Sequence, residues 1–262
     1  MIIEIALLIP HFNNPIGLGK TILSISENVD IYIVDDGSEI QFDEVIISKL
    51  YSGSGNIYFI YLKENFGIER ALNEGISEII KKSYKYIARM DCGDIVCNDR
   101  FRKQMDYLKN NSNVYLIGSW VDFINESGDF FYRLKVPSKH REIKRKMYIN
   151  CMFIHPTVMF KIEAVNLIGD YPIGYKAAED YAYFFKFVKN FTTHNIPEVL
   201  VRVEYNQSGI SVTNRKRQIA SRIKVIIKNF YFGIYPIYGL MRNLILFIIP
   251  LRFLNLLKRH LK

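Results

Sequence analysis

The sequence predicts an α/β fold: a doubly wound, mostly parallel sheet with a C-terminal basic helical tail. Three observations carry this. Short runs rich in Ile, Val and Tyr alternate with segments of helical period, a polar cluster follows each of the first four runs, and acidic residues stop at Glu204 while basic ones continue. With 262 residues, 49% of them hydrophobic and 23% charged, the chain can bury a large core and is not disordered.

The apolar runs at residues 2–9, 31–34, 57–62, 84–90 and 114–120 read as strands. Between them, Ile68, Ala71, Leu72, Ile76, Ile79 and Ile80 recur at spacings of three and four, which predicts a helix over 68–82. A second helix over 99–109 takes Asn98 as its cap. Strand and helix alternating in this way imply parallel pairing. From Val121 the rhythm changes to a hairpin around 125–129, a basic helix over 139–148, a strand near 157–160 and a helix over 178–189. The tail begins near Thr213, with Ile219, Ile223, Ile226, Ile227 and Phe230 along one helical stripe.

Composition excludes several classes of function. Three cysteines without a CxxC pair and five scattered histidines leave no disulfide framework and no zinc site. The N-terminal stretch has no basic flank and carries Glu4 inside its apolar run, so it does not read as a signal peptide, and a cytoplasmic location is expected. The net charge of +9 is unevenly placed. After Glu204 there are 11 basic residues and no acidic one, which leaves 24 basic against 26 acidic before that point. A basic tail on a near-neutral body points to an anionic membrane surface rather than to nucleic acid.

In an open α/β sheet, ligands bind beyond the carboxyl ends of the strands. The first run leads into Pro10, His11, Phe12, Asn13 and Asn14, the second into Asp35, Asp36, Gly37 and Ser38, the third into Asn65 and Gly67, and the fourth into Asp91, Cys92, Gly93 and Asp94. Any one cluster is ordinary turn chemistry. Four on one edge form a site. Neighbouring carboxylate pairs repel unless a cation or a donor-rich ligand lies between them, and hard oxygen ligands suit Mg²⁺ or Mn²⁺. A metal bridging a diphosphate is the economical expectation.

IPHFN (9–13), VDDGS (34–38), the helix pattern Asn65, Gly67, Ala71, Asn73, Gly75, then ARMDCGDI (88–95), FIHPTVMF (153–160) and AEDY (178–181) occur in one order and spacing. Together they resemble the family-2 glycosyltransferases over roughly residues 3–205. The resemblance implies the GT-A fold and an inverting transfer of a sugar from a nucleotide diphosphate sugar, with a divalent metal. It implies that Pro10, Phe12, Asn13, Asp35 and Asp36 belong to the base and ribose pocket, and that Asn65, Arg70, Arg89 and Asp91 lie along the nucleotide sugar. Asp91 and Asp94 match the metal-binding region, where the family's third carboxylate is here Gly93. Asp180 matches the catalytic base, and Glu179 and His155 fall on the acceptor side. The expected division is a catalytic domain over 1–212, with a nucleotide-sugar half (1–120) and an acceptor half (121–212), and a membrane-associating helical tail over 213–262. The implied acceptor is a glycan, lipid-linked, of bacterial surface polysaccharide assembly.

The same residues have other readings. Glu179 and Asp180 suit the first turn of any helix, and His155 suits a structural role. GLGKT (17–21) matches the end of a phosphate-binding loop, although Asn14 and Pro15 stand where that motif needs a glycine and a free amide. A fold-retaining scaffold that binds sugar nucleotides without turning them over is a third. In the tail, residues 229–251 carry only Arg242 as a charge. Pro236, Pro250, Gly233 and Gly239 interrupt it, which favours interfacial helices, with Arg252, Lys258, Arg259 and Lys262 at the headgroups, over a span. Packing of these helices on the catalytic domain is the alternative.

Overall fold

The computed structural model describes residues 3–125, 127–205 and 214–249. The first half is a succession of strand–helix units: β1 (Ile5–His11), α1 (Pro15–Leu23), β2 (Asp30–Asp35), α2 (Glu44–Leu50), β3 (Ile57–Tyr61), α3 (Ile68–Ile80) and β4 (Tyr86–Arg89). Strands β3, β2, β1 and β4 lie side by side in that order and all run parallel. Their carboxyl ends therefore share one edge.

The short β5 (Ile95–Val96) and α4 (Arg100–Asn110) lead to the long β6 (Val114–Ile124), which turns back into β7 (Phe130–Leu134). Then come α5 (His140–Lys146), a 3-10 turn (His155–Thr157), β8 (Met159–Lys161), α6 (Ile162–Ile168), α7 (Glu179–Asn190) and β9 (Thr192–Glu204). Strand β8 is antiparallel to both β4 and β6 and joins the two halves into one sheet. β9 runs parallel to β6 and pairs β5 on its other side.

Alternation along the strands sends side chains to two cores. Ala6, Leu8, Tyr32 and Val34 meet Ala71, Leu72, Ile76 and Ile79 of α3 and the aromatic face of α7. Leu7, Ile9, Ile31 and Ile33 meet Leu18 and Ile22 of α1, Ile47 of α2 and Phe101 and Leu108 of α4. Helices thus cover both faces, as the doubly wound prediction requires. Gly75 lets α3 lie against the sheet, since a Cβ there would stand 2.2 Å from Leu8 Cδ1.

Several local expectations change. The strand near 157–160 begins only at Met159, because His155–Thr157 forms a 3-10 turn in which the Thr157 amide donates to the Ile154 carbonyl at 2.9 Å and Thr157 Oγ1 donates to the same oxygen. The cap of α4 is not Asn98. Glu27, distant in sequence, accepts from the Phe101 and Arg102 amides at 3.0 and 2.7 Å. Strand β9 and helix α6 carry no clear period and were not predicted.

The tail forms α8 (Arg215–Lys228) and α9 (Ile234–Ile248). Of the predicted stripe, Ile219 and Ile226 are buried, but Ile227 and Phe230 are exposed, because Val225 takes the inward position beside Ile226. Asn229 O accepts from Tyr148 Oη at 2.8 Å, and Gly239 lies so close to the Tyr148 carbonyl that a Cβ there would stand 1.9 Å away. The helix pair is docked on the domain. Arg252, Lys258, Arg259, Lys262, Pro250 and the boundary at 212–213 lie outside the described residues.

Candidate active site

Strands β1 and β2 end side by side, which brings His11 against Asp35: Nδ1 lies 2.7 Å from Oδ2, both groups buried. The other Asp35 oxygen accepts from the Ser38 amide at 2.7 Å. Asp36 accepts from the amides of Phe66 and Gly67, each at 2.9 Å. Burial pushes its carboxyl up, and those two amides oppose the shift. The repulsion expected between carboxylate pairs is thus relieved at Asp35 and Asp36 by donors of the chain itself, so this pair needs no cation. Gly37, at φ +70°, permits the turn, since a Cβ there would strike the Glu64 main chain at 2.4 Å.

Asn13 joins this loop to the first. Its amide donates to Ser38 Oγ at 2.8 Å, and its Oδ1 accepts from the Glu39 and Ile40 amides at 2.8 and 2.9 Å. Pro10 O accepts from Cys92 Sγ, tying the first loop to the fourth. Phe12 presents an exposed ring at the rim. Asn65 and Arg70 are exposed; the Asn65 main chain lies against Gly37 of the second loop, and the Arg70 guanidinium is 5.9 Å from the centre of the Phe66 ring.

The fourth loop is held from behind by Thr21. Its hydroxyl reaches the carbonyls of Asp91 and Asp94 at 3.2 and 2.9 Å and accepts from the Gly93 amide at 2.9 Å. Here GLGKT finds its role. Residues 17–21 lie inside α1, whose first turn is capped by Asn14 Oδ1 on the Gly17 amide at 2.9 Å, so there is no phosphate loop. Lys20 instead meets Glu204 at 3.0 Å on the surface.

At the centre is Arg89, 1% exposed at the end of β4 and ion-paired to Asp91. Burial pulls its guanidinium down, and Asp91 outweighs that pull. Its Nε and Nη1 have no hydrogen-bond partner, nor has Oδ2 of the buried Asp94. Burial first, then Asp91, pushes the Asp94 carboxyl well above the usual range, while Arg89 and the Glu204 amide oppose this. An orphaned buried carboxylate oxygen beside a second, half-exposed carboxylate fits a divalent metal that shares one or two carboxylates with a diphosphate. Among the described residues no three acidic, histidine or cysteine side chains converge, so the chain alone builds no closed cage. Gly93 adopts φ +105° with open space around its missing Cβ, so its backbone conformation disfavours a carboxylate at this place.

The acceptor half faces the same guanidinium. Glu179 and Asp180 open α7. Burial, then Asp180, pushes the Glu179 carboxyl up to about 8, and its Oε2 has no partner. Burial thus favours its protonated form. Asp180 is also raised by burial but is drawn back by the Tyr181 amide, Arg222 and Arg89. His155 is pushed well below its usual range by burial and then by Arg89, and its Nε2 lies 3.0 Å from Tyr171 Oη. Asn73 of α3 holds the Tyr171 main chain by reciprocal bonds of 3.0 and 2.8 Å. The two halves are thereby fixed to each other.

Two supporting residues escaped sequence reasoning. Arg100 and Gln104, four apart on a buried face of α4, clamp the carbonyls of Arg89, Val158 and Thr157 at 2.8, 3.3 and 2.7 Å. A polar pair at helical spacing among the apolar residues of the helix predicted over 99–109 was the available signal.

Such an edge, with orphaned acidic and basic groups at the carboxyl ends of parallel strands, is where an open α/β sheet binds its ligand. The model of Glycosyl transferase family 2 matches residues 6–167, and the chain belongs to that family. An Escherichia coli protein named UDP-Gal:alpha-D-GlcNAc-diphosphoundecaprenol beta-1,3-galactosyltransferase is 29% identical over 228 residues, covering 84% of this chain and 79% of its own length. The E. coli O-antigen biosynthesis glycosyltransferase WbnJ is 32% identical over 156 residues, 58% of this chain and 59% of its own. The bifunctional glycosyltransferase pgtA of Dictyostelium discoideum is 27% identical over 77% of this chain, which spans 32% of that longer protein. Among solved structures, S. aureus TarS 1-349 in complex with UDP-GlcNAc superposes with a TM-score of 0.61 at 14% identity, covering 92% of this chain and 72% of that one. The Pyrobaculum calidifontis mannosyltransferase PcManGT, in complex with GDP-Man and Mn²⁺, gives 0.61 at 12% identity, covering 92% and 68%. The fold is GT-A, and the protein is a glycosyltransferase.

Proposed function

We propose that the chain transfers a hexose from a UDP- or dTDP-sugar to a hydroxyl of a lipid-linked glycan, with inversion, in the synthesis of a bacterial surface polysaccharide. The observation that carries this is Arg89: one buried guanidinium acts on Asp91 and Asp94 from the donor half and on Glu179 and Asp180 from the acceptor half. A donor diphosphate over the first pair would set its sugar against the second. The names of the E. coli relatives support a glycan acceptor of the O-antigen kind.

Phe12, Pro10, Asn13, Asp35 and Asp36 would form the nucleotide wall, with Asn65 and Arg70 on its outer rim. Asp91 and Asp94 would hold Mn²⁺ or Mg²⁺, which when bound supplies Lewis-acid stabilisation of the leaving diphosphate. Asp180 takes the proton of the acceptor hydroxyl as its oxygen attacks the anomeric carbon from the face opposite the diphosphate. The carbon–diphosphate bond breaks as the glycosidic bond forms. Glu179, protonated, donates a hydrogen bond to a sugar hydroxyl, and neutral His155 stays on Tyr171 behind it.

The membrane is the proposed second partner. Helix α9 turns Ile234, Ile237, Tyr238, Met241, Leu244, Ile245 and Ile248 outward and keeps Pro236, Gly239 and Asn243 inside. Its apolar face looks away from the protein, beside the basic α8. Among the described residues no helix is long and apolar enough to cross a membrane. This face supports peripheral docking at the inner face of the cell membrane.

Transfer is tested with a panel of UDP- and dTDP-sugars and a GlcNAc-diphospholipid acceptor, reading nucleotide release and product mass. D180N is expected to lose about 10²- to 10⁴-fold in turnover while binding UDP as the wild type does. Full turnover in D180N would remove the base assignment.

A further inference from the structure

We infer that α8, beyond the catalytic domain in sequence, is a wall of the active site, with Gln218 and Arg222 as positioning residues for Asp180. The inference deepens, and rests on, the reading of Asp180 as the base. Gln218 Nε2 donates to the Ala177 carbonyl at 2.9 Å. Ala177 has φ +55°, the left-handed region that a residue with a Cβ occupies only when its surroundings hold it there. Two residues later α7 begins, and Asp180 is its second residue. Gln218 therefore pins the turn that aims the carboxylate.

Arg222 follows one turn along the same helix. Val225 and Ile226 beside it are buried in one cluster with Tyr181, Phe184 and Phe185, which fixes the register of α8 over α7. Arg222 is half-buried and, among the described residues, has no ion-pair partner. Its charge draws down Asp180, Cys151 and Tyr181, groups from two separate segments, as a guanidinium over the start of α7 would.

The surroundings of Asp180 explain the need for it. Glu179 adjoins it on α7, Asp91 and Arg89 face it from the end of β4, Cys151 from the segment before the 3-10 turn, and Tyr171 from the loop before α7. Arg89 is engaged with Asp91. Arg222 adds a second cation to Arg89 in offsetting burial and the Asp91 charge, keeping the carboxylate able to accept a proton.

The test needs no substrate. Carboxyl ¹³C titration of the full chain labelled at aspartate reads Asp180 directly, assigned as the signal missing from D180N. R222Q is expected to move the Asp180 midpoint to higher pH, and R222K to leave it near the wild-type value. R222M, which keeps the stem and drops the charge, repeats the measurement if R222Q does not fold. In Q218A the Ala178 amide, bonded to the Tyr175 carbonyl at 2.8 Å, is expected to exchange faster while the amides of β1 do not change. An Asp180 midpoint equal in wild type and in the uncharged variant would overturn the role of Arg222, and unchanged exchange at Ala178 that of Gln218. The two failures separate: a transfer-competent D180N removes the base alone, and an unmoved midpoint removes Arg222 alone.

Discussion

Arg100 donates from Nη2 to the main-chain carbonyl of Arg89 across 2.8 Å, so that one fully buried guanidinium fixes the strand end from which another projects. The fork also reaches Val158 O, and Nε reaches Gln104 Oε1 at 3.1 Å. Burial pushes this guanidinium down to about 9, which leaves it a cation at neutral pH.

Lysine has no such fork. R100K and R100M should each cost about 3 kcal/mol in denaturant unfolding, because buried carbonyls lose their donors. Both should weaken UDP binding through Arg89. Unaltered stability in both would show the clamp to be idle.

The GLGKT segment separates two predictions. T21V removes the hydroxyl that holds the Asp91–Asp94 loop by three bonds, and should lower Mn²⁺-dependent UDP affinity about ten-fold. K20A removes only a surface pair with Glu204 and should leave UDP affinity unchanged. Calorimetry on the two variants checks both; loss of nucleotide binding in K20A would contradict the helical assignment of its role.

Glu179 gives a pH signature. Its folded-state value of about 8 lies above the ordinary 4.5, so the folded chain holds this proton more tightly than the unfolded one. The stability from that proton is complete below about 4.5 and is lost as pH rises toward and through 8. E179Q, neutral throughout, should melt progressively higher than wild type as pH rises from 5 to 9. Parallel melting curves across this range would show that Glu179 is ionised in the fold.

The outward face of α9 predicts lipid binding. I237E/M241E should lose sedimentation with vesicles containing anionic lipid and leave UDP affinity unaltered, since both side chains are exposed. G239V, by contrast, drives a side chain into the Tyr148 carbonyl and should undock the helix, read as faster proteolysis after Asn229. Vesicle binding by the double variant equal to that of wild type would exclude this face as the lipid contact.

Much of this site is legible in the sequence because strand ends in a parallel sheet share an edge by topology. The clusters after β1, β2 and β4 needed only the alternation of elements to bring His11 to Asp35 and Pro10 to Cys92. Asp35 and Asp36 could not be told from Asp94 in this way, because their satisfaction depends on which amides the loops present. Arg222 and Gln218 were hidden for a different reason. Their helix reads as a basic amphipathic tail, and only tertiary packing decides that its inward face meets α7 rather than lipid alone. β9 escaped because Asn195 and Pro197 interrupt its pattern, and its burial comes from pairing along the whole length of β6.

The most direct measurement is a calorimetric titration of UDP, with and without Mn²⁺, into the wild-type chain and D94A. Binding that strengthens with Mn²⁺ in the wild type and loses that dependence in D94A is the predicted result. Failure of the wild type to bind UDP or dTDP under either condition would contradict the donor site at Arg89, Asp91 and Asp94.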